Sequence, residues 1–339
     1  MALELVPVGL LDFEIYLPDR FITAADIAAE SKIPEQVIRE KFGINQKPVG
    51  GPDDHCVSMA TVAARRLLTR TGIRPEEIDL IIYPGEEYKE YICWTGAIKI
   101  QKELGADRCW AFDLPYRCAA TSLALKVAKD LMQVNPELKT VLIAGGNTNA
   151  YMVNYQDPNS SFMFDMGPSG HAAILKRGQE QNRLLGSGIV TEPVFADDVI
   201  PLLGGTKVPV THEAVDQKLW QLQVTDPERM KKDLAERSLP AFLRACDIAL
   251  AESGLTRADI NFFGMVHIKP SAHQAILREL GVSPERSVYL SDYGHLGHTD
   301  PYLCLKLGLE QGKVKPGDNV LLLGAGTGYA FTASVFRWG

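Results

Sequence analysis

Three segments in the first half of this 339-residue chain recur, in the same order, in the second half. The shared patterns are a helix-like run leading through an acidic turn to an apolar strand, a short helical segment, and an apolar strand that ends in glycines. The pairs are residues 64–83 with 247–266, 122–126 with 302–306, and 140–146 with 319–326. Three matches in order indicate an internal duplication. Because each half alternates helices with short apolar strands, we predict a layered α/β fold with halves at residues 1–177 and 178–339.

Cys118 lies between a strand-like run and a helix-like run in the first half. The strand-like run covers residues 111–113, and from Ala120 onwards apolar residues recur at three- and four-residue steps, which is typical of an amphipathic helix. A cysteine in the first turn of a helix lies at the positive end of the helix dipole, which favours the nucleophilic thiolate. The sequence therefore indicates a reactive cysteine, and the alternative is a buried, inert one.

The duplication gives Cys118 a facing segment in the second half. That segment spans residues 291–300 and contains His295 and Asp300, and a nearby strand runs into His267. Ligand sites of α/β sheets gather at strand ends. We therefore expect the cysteine and the histidines to meet where the two halves join.

These motifs resemble the thiolase superfamily and, within it, the β-ketoacyl-acyl carrier protein synthase III family. In that family a strand and Ala-Phe-Asp lead to the catalytic cysteine, as residues 111–113 lead to Cys118 here. The family's catalytic histidine follows a strand and precedes a Leu-Gly pair, as His267 precedes residues 280–281. The carboxyl end runs through a Lys-Pro-Gly turn, here residues 315–317, into a strand, a glycine-rich turn and a final strand. The resemblance covers nearly the whole chain.

The resemblance implies a thiolase-like α/β fold with α/β/α/β/α layers, and an acyltransferase that holds its acyl group on Cys118. It implies an oxyanion hole formed by the backbone N–H of Cys118 and one from the turn at residues 326–328, which contains Thr327. The implied substrates are acyl-coenzyme A or acyl carrier protein thioesters of fatty acid or polyketide biosynthesis, without a permanently bound cofactor. Lys41 lies close to a family arginine that contacts coenzyme A. Family members form homodimers through the strand before the nucleophile, here residues 108–113.

The histidines depart from the family pattern in two ways. The family's His-Gln-Ala occurs here at His273, so either His267 or His273 is the family histidine, and the position after the strand favours His267. The family's catalytic asparagine is replaced by His295. A histidine can remove a proton as well as donate a hydrogen bond, so the acceptor is either a carbon nucleophile, in a Claisen condensation, or a hydroxyl or amine. Asp300 either orients His295, as a triad carboxylate does, or pairs with a helix dipole.

Other candidate roles remain open from the sequence. Glu87 falls near the acid/base glutamate of the related hydroxymethylglutaryl-CoA synthase, although Asp and Glu are mostly exposed. His298 is either a third polar group in the pocket or a capping neighbour of the helix. A catalytically silent, binding member of the fold is the alternative from a different functional class, and an intact Cys118 argues against it.

Composition and motifs exclude several other classes. The formal charge of −7 argues against a nucleic-acid surface. Six cysteines without disulfide spacing indicate a reducing, cytoplasmic setting. We find no signal peptide at the amino end and no apolar run of membrane-spanning length. The histidines lack metal-site spacing, so we predict no metal, and residues 324–328 lack the strand–loop–helix context of a dinucleotide site.

Overall fold

The computed structural model describes residues 6–339, which form thirteen strands and nine α-helices. The strands are β1 (Val8–Tyr16), β2 (Arg20–Thr23), β3 (Gln46–Val49), β4 (Leu80–Gly85), β5 (Trp110–Pro115), β6 (Thr140–Asn147), β7 (Ser169–Arg177), β8 (Arg183–Thr191), β9 (Val199–Pro201), β10 (Leu222–Val224), β11 (Phe262–Met265), β12 (Asn319–Gly326) and β13 (Ala330–Arg337). The helices are α1 (Ala24–Ser31), α2 (Glu35–Val37), α3 (Cys56–Thr71), α4 (Gly96–Leu104), α5 (Ala120–Val134), α6 (His212–Asp216), α7 (Pro227–Glu252), α8 (Pro270–Leu280) and α9 (Asp300–Glu310).

The main sheet consists of two units with the same strand order. In the first half the order is β1-β7-β6-β4-β5, and in the second it is β8-β13-β12-β11. A single residue pair, Gly9 with Arg183, joins β1 to β8 and makes one continuous nine-stranded sheet. Each strand of the second unit has its counterpart in the first, so the repeated topology agrees with the duplication read from the sequence. The boundary after residue 177 stays a prediction.

Five layers result because helices cover both units. Helices α3 and α4 pack on the outer face of the first sheet unit, and α7 and α8 pack on the outer face of the second. Helices α5 and α9 lie between the units and share one apolar core with strands from both. The predicted α/β fold with α/β/α/β/α layers is confirmed. Within residues 6–339 no helix combines the length and the hydropathy needed to cross a bilayer.

Helix α5 explains how the nucleophile candidate comes to lie at the centre of the molecule. The predicted amphipathic segment begins at Ala120, where the observed helix also begins. Its small residues Ala124 and Ala128 are completely buried, which allows the helix to fit between the two sheet units. The amino end of this central helix therefore points to the place where the halves meet, and Cys118 immediately precedes it.

Strand β8 and helix α7 approach each other so closely that glycine is required at the contact. A β-carbon added at Gly188 would overlap the carbonyl oxygen of Ala245. We expect Gly188→Ala to lower the free energy of unfolding by about 1–3 kcal/mol, because overpacking forces the helix away from the sheet. Urea denaturation checks this. Gly205→Ala is the matched control, since a β-carbon there meets no atom within 4 Å; equal losses in both variants would contradict the prediction.

Candidate active site

Cys118 lies in a short 3-10 turn, Arg117–Ala119, between the end of β5 and the start of α5. Its side chain is buried, and Arg117 takes a left-handed backbone angle (φ 51°) that costs a non-glycine residue roughly 1–2 kcal/mol. The Thr332 hydroxyl donates to the carbonyl of Ala119 at 3.0 Å, and the Thr121 hydroxyl donates to the carbonyl of His298. These contacts fix the strained turn and hold the thiol at the helix start.

His295 and Asp300 form a buried pair beside Cys118. The Nδ1 atom of His295 lies 2.6 Å from Oδ2 of Asp300. The backbone N–H of Leu296 donates to Oδ1 at 2.7 Å, and that of His267 donates to Oδ2 at 2.8 Å. With three donors the Asp300 carboxylate is well satisfied, although it is fully buried. It holds the proton of His295 on Nδ1 and leaves Nε2 free.

His295 lies close enough to Cys118 for the two side chains to shift each other's pKa. Burial raises the pKa of the Cys118 thiol, and His295 opposes that shift while Glu86 adds to it. Burial lowers the pKa of His295, but the Cys118 thiolate and the Asp300 carboxylate outweigh it and raise that pKa well above its ordinary value. The direction of this shift fits a role for His295 as the acceptor of the thiol proton.

The acid that faces Cys118 is Glu86, and the sequence pointed to its neighbour Glu87. Oε1 of Glu86 lies 3.8 Å from Sγ, and the side chain is 1% exposed. Glu87 is exposed, and its carboxylate lies 3.9 Å from a nitrogen of Arg117 at the surface. Of the two interpretations open for Glu87, the structure supports the exposed acid, and the acid beside the nucleophile is Glu86. The available signal was that Glu86 directly follows β4, whose six residues are all buried.

His267 lies close to this centre but directs its ring elsewhere. Nδ1 lies 2.6 Å from Oδ2 of Asp165, and Nε2 lies 3.1 Å from the carbonyl oxygen of Gly43. Both ring nitrogens lie against oxygen atoms, so the contacts with Asp165 and Gly43 hold the ring in this orientation. Its backbone N–H supports Asp300. The catalytic role predicted for His267 stays a prediction, and this geometry gives it the part of a positioning residue.

His273 and His298, the other two candidate histidines, lie on different elements. His273 lies on α8, where Nε2 is 3.4 Å from the hydroxyl oxygen of Ser287. His298 is completely buried behind the nucleophile turn, and its ring packs against that of His171 with centroids 4.9 Å apart. Burial lowers the pKa of both His273 and His298 to about 4, so both rings are neutral near pH 7.

The predicted oxyanion-hole segment lies against the nucleophile turn. A β-carbon added at Gly326, the last residue of β12, would lie 3.0 Å from the backbone nitrogen of Cys118. Thr327 follows directly and is half-buried. Lys41 is exposed on the helical turn Ile38–Phe42. Gly43, which follows this helical turn, has the carbonyl oxygen that lies 3.1 Å from Nε2 of His267. The oxyanion and coenzyme-binding roles stay predictions.

Comparison with known proteins agrees with this architecture. The family model for 3-oxoacyl-[acyl-carrier-protein (ACP)] synthase III matches residues 112–193, and the model for its C-terminal part matches residues 250–338. The β-ketoacyl-[acyl-carrier-protein] synthase III of Symbiobacterium thermophilum is 27% identical over 338 residues, which cover 99% of this chain and 100% of that protein. The Desulfotalea psychrophila synthase III is 26% identical and covers 95% of this chain and 97% of its own length.

Solved structures share the fold at lower identity. The 3-oxoacyl-[acyl-carrier-protein] synthase III of Aquifex aeolicus superposes with a TM-score of 0.83 at 20% identity, covering 98% of this chain and 100% of the other. The priming β-ketosynthase of the R1128 polyketide pathway gives 0.83 at 22% identity, covering 100% and 98%. The fold is that of the thiolase-like acyltransferases. Within that class, the chain belongs to the 3-oxoacyl-[acyl-carrier-protein] synthase III family of condensing enzymes.

Proposed function

We propose that this enzyme takes an acyl group from a coenzyme A or acyl carrier protein thioester, holds it on Cys118, and passes it to a hydroxyl or amine acceptor. The observation that carries the proposal is the 2.6 Å contact between Nδ1 of His295 and Oδ2 of Asp300, in a buried pair that lies close to the Cys118 thiol. Asparagine, the residue that the family pattern has at position 295, can donate a hydrogen bond but cannot accept a proton. A histidine backed by a carboxylate can act as a general base.

In the first half-reaction, His295 removes the proton of the Cys118 thiol, and the thiolate attacks the thioester carbonyl. The tetrahedral intermediate bears a negative oxygen, which backbone N–H groups of Cys118 and of the turn at residues 326–328 would stabilise. When the intermediate collapses, its bond to the donor sulfur breaks and the donor leaves as a thiolate. The imidazolium of His295 returns the proton to that thiolate. The products are acyl-Cys118 and a free donor thiol.

Acylation of Cys118 lowers the pKa of His295, which prepares the ring to act as a base in the second half-reaction. The Cys118 thiolate is the largest cause that raises the pKa of His295, and a thioester carries no charge. The pKa of His295 therefore falls once Cys118 is acylated, and the neutral ring is free to take a proton from an acceptor hydroxyl. The acceptor oxygen then attacks acyl-Cys118, the thioester bond breaks, and the sulfur leaves as thiolate beside the new imidazolium.

The second candidate is carbon–carbon condensation, because the relatives in the same family are named β-ketoacyl-acyl carrier protein synthases. The two functions differ in what consumes the acyl-enzyme. Pre-formed acyl-Cys118 is mixed separately with small alcohols, small amines and malonyl thioester, and its loss is followed by intact mass. We expect loss with an alcohol or an amine and formation of the ester or amide. Loss with malonyl thioester alone, with release of carbon dioxide, contradicts the proposal.

We also propose a homodimer formed through β5, the edge strand of the first sheet unit. Exposed apolar side chains surround this edge, with Ile92 82% and Trp110 49% exposed. An unpaired edge strand with large exposed apolar groups is a site for pairing with another chain. The structured edge, β5 at Trp110–Pro115, lies two residues beyond the strand predicted at 108–113.

Light scattering at micromolar concentration should give twice the chain mass of 37.3 kDa. The double variant Ile92→Asp with Trp110→Asp should shift the protein to the monomer, because burying two carboxylates costs several kcal/mol. Val134→Asp is the control, since Val134 is also exposed but lies at the far end of α5. A monomeric wild type, or equal dissociation in the control, would contradict the dimer.

The remaining expectations concern the donor and the compartment. The exposed Lys41 is a candidate for the phosphates of coenzyme A, which lysine binds as a point charge. The six cysteines are all free, which fits a reducing compartment such as the cytoplasm.

A further inference from the structure

Two buried side-chain oxygens next to Cys118 lack hydrogen-bond partners within the described part of the chain. They are Oε2 of Glu86, at the end of β4, and Oδ1 of Asn149, just after β6. The side chains are neighbours, since the Asn149 amide lies close enough to the Glu86 carboxylate to lower its pKa against the effect of burial, and Glu86 and Asn149 are 1% and 7% exposed. An unsatisfied buried polar group costs about 1–3 kcal/mol. Two of them together, one on the residue that faces Cys118, indicate a place that would accept a polar group of a ligand, and we call the surroundings of these two oxygens the recess.

The position of this recess determines which part of a ligand it meets. Oε1 of Glu86 lies 3.8 Å from Sγ of Cys118. When an acyl group is bonded to Sγ, its third carbon and the substituents on its second carbon lie roughly 3–4 Å from the sulfur, because each is three bonds away. The recess therefore contacts the acyl group close to its carbonyl carbon and lies away from the chain end. It can bind substituents on the first carbons of the acyl chain.

The charges around the recess limit the kind of substituent. The guanidinium of Arg117 lies 3.9 Å from Oε2 of Glu86, too far for a hydrogen bond, and the charges of Glu87 and His295 also act on Glu86. Burial raises the pKa of Glu86, opposed by Arg117. An ammonium group would meet Arg117 and the imidazolium of His295, and a carboxylate would meet Glu86. A neutral group that donates a hydrogen bond fits both unsatisfied oxygens.

We infer that Glu86 and Asn149 form a polar acyl subsite that selects donors whose acyl group carries a hydroxyl or amide N–H on the second or third carbon. The inference rests on the acyl-Cys118 intermediate proposed above. In the acyl-enzyme the substituent donates to Oε2 of Glu86 or to Oδ1 of Asn149, and no covalent bond to either residue forms. A plain alkyl group of the same size would leave both oxygens unsatisfied, and sites of this kind discriminate strongly against such analogues.

The test compares three donors on the wild-type enzyme: 3-hydroxypropanoyl-CoA, butyryl-CoA of equal size, and malonyl-CoA. Single-turnover labelling of Cys118 is followed by intact mass. We expect 3-hydroxypropanoyl-CoA to label about 10–100-fold faster than butyryl-CoA, the factor that one hydrogen bond to a buried polar group gives. Equal rates overturn the subsite. Fastest labelling by malonyl-CoA also overturns the subsite, because it would mean that Arg117 binds a carboxylate of the acyl group there. Absence of labelling with every donor overturns the acyl-enzyme proposal and, with it, the subsite.

Substitutions test which residue causes the preference for 3-hydroxypropanoyl-CoA over butyryl-CoA. Glu86→Leu should reduce the ratio of the two rates to about one or below, because leucine offers no acceptor. Glu86→Gln should keep most of the ratio, since the amide still accepts and donates. Glu87→Leu is the matched control, because Glu87 contacts the same Arg117 but is exposed; its ratio should equal that of the wild type. A ratio that survives in Glu86→Leu, or that falls equally in Glu87→Leu, contradicts the assignment.

Discussion

Cys118→Ala should lose the covalent acyl adduct completely and slow overall acyl transfer by about 10⁴-fold or more, as removal of a catalytic nucleophile does elsewhere. The reason is the position of Cys118, which lies close to the buried His295–Asp300 pair and immediately before the central helix α5. Alanine keeps the turn and the helix start but offers no group to hold the acyl chain. Intact-mass analysis after incubation with an acyl thioester, together with steady-state turnover, measures both effects.

Cys93→Ala is the informative control for this variant. Cys93 is the exposed cysteine, whereas Cys118 is buried, so a non-specific acylating agent would label Cys93 first. Specific transfer should label Cys118 in spite of its burial and leave Cys93→Ala with wild-type activity. An adduct that persists in Cys118→Ala, or that disappears in Cys93→Ala, would remove Cys118 from the mechanism.

The fold could be predicted because its pattern of helices and apolar strands occurs twice along the chain. Each apolar strand and each helix of the second sheet unit has a counterpart in the first, and periodicity identifies both copies independently. Helix α5 was predicted to begin at Ala120 and does. The edge strand was less well placed, since residues 108–109 belong to the preceding turn and the strand continues to Pro115. Strand ends depend on pairing with a neighbour, here Gly85 of β4 with Pro115, and the sequence does not contain that register.

The site was partly predictable for the same reason. Cys118 was identified because it stands next to a helix start, where a local pattern is visible, and His295 and Asp300 were identified because the duplication and the family resemblance point to their segment. The partner of His267 could not be found in this way, because Asp165 lies 102 residues earlier and meets it only in three dimensions. Glu86 was missed, since two adjacent acids after a strand differ only in which one the backbone turns inwards. Chemistry that depends on a side chain's direction requires the structure.

His295→Asn should allow acyl-Cys118 to form but slow its transfer to a hydroxyl acceptor by about 10²–10⁴-fold, the usual loss when a general base is removed. Asparagine retains a donor for the thioester oxygen but cannot take the acceptor's proton. In the wild type the transfer rate should rise with pH until His295 is deprotonated in the acyl-enzyme, and this dependence should be absent in the variant. Asp300→Asn should cause a loss of the same order, because the amide can donate to Nδ1 and so permits the wrong tautomer.

Single-turnover decay of pre-formed acyl-enzyme isolates this step from acylation, which His295 also assists by removing the thiol proton. His273→Asn is the matched control: it removes a buried, neutral histidine that lies on α8 beside Ser287, and it should transfer at the wild-type rate. If His295→Asn and the wild type decay equally with a hydroxyl acceptor, His295 is not the base. Donation of hydrogen bonds is then all that position 295 supplies, and asparagine supplies it as well, so carbon–carbon condensation becomes the better account of this site.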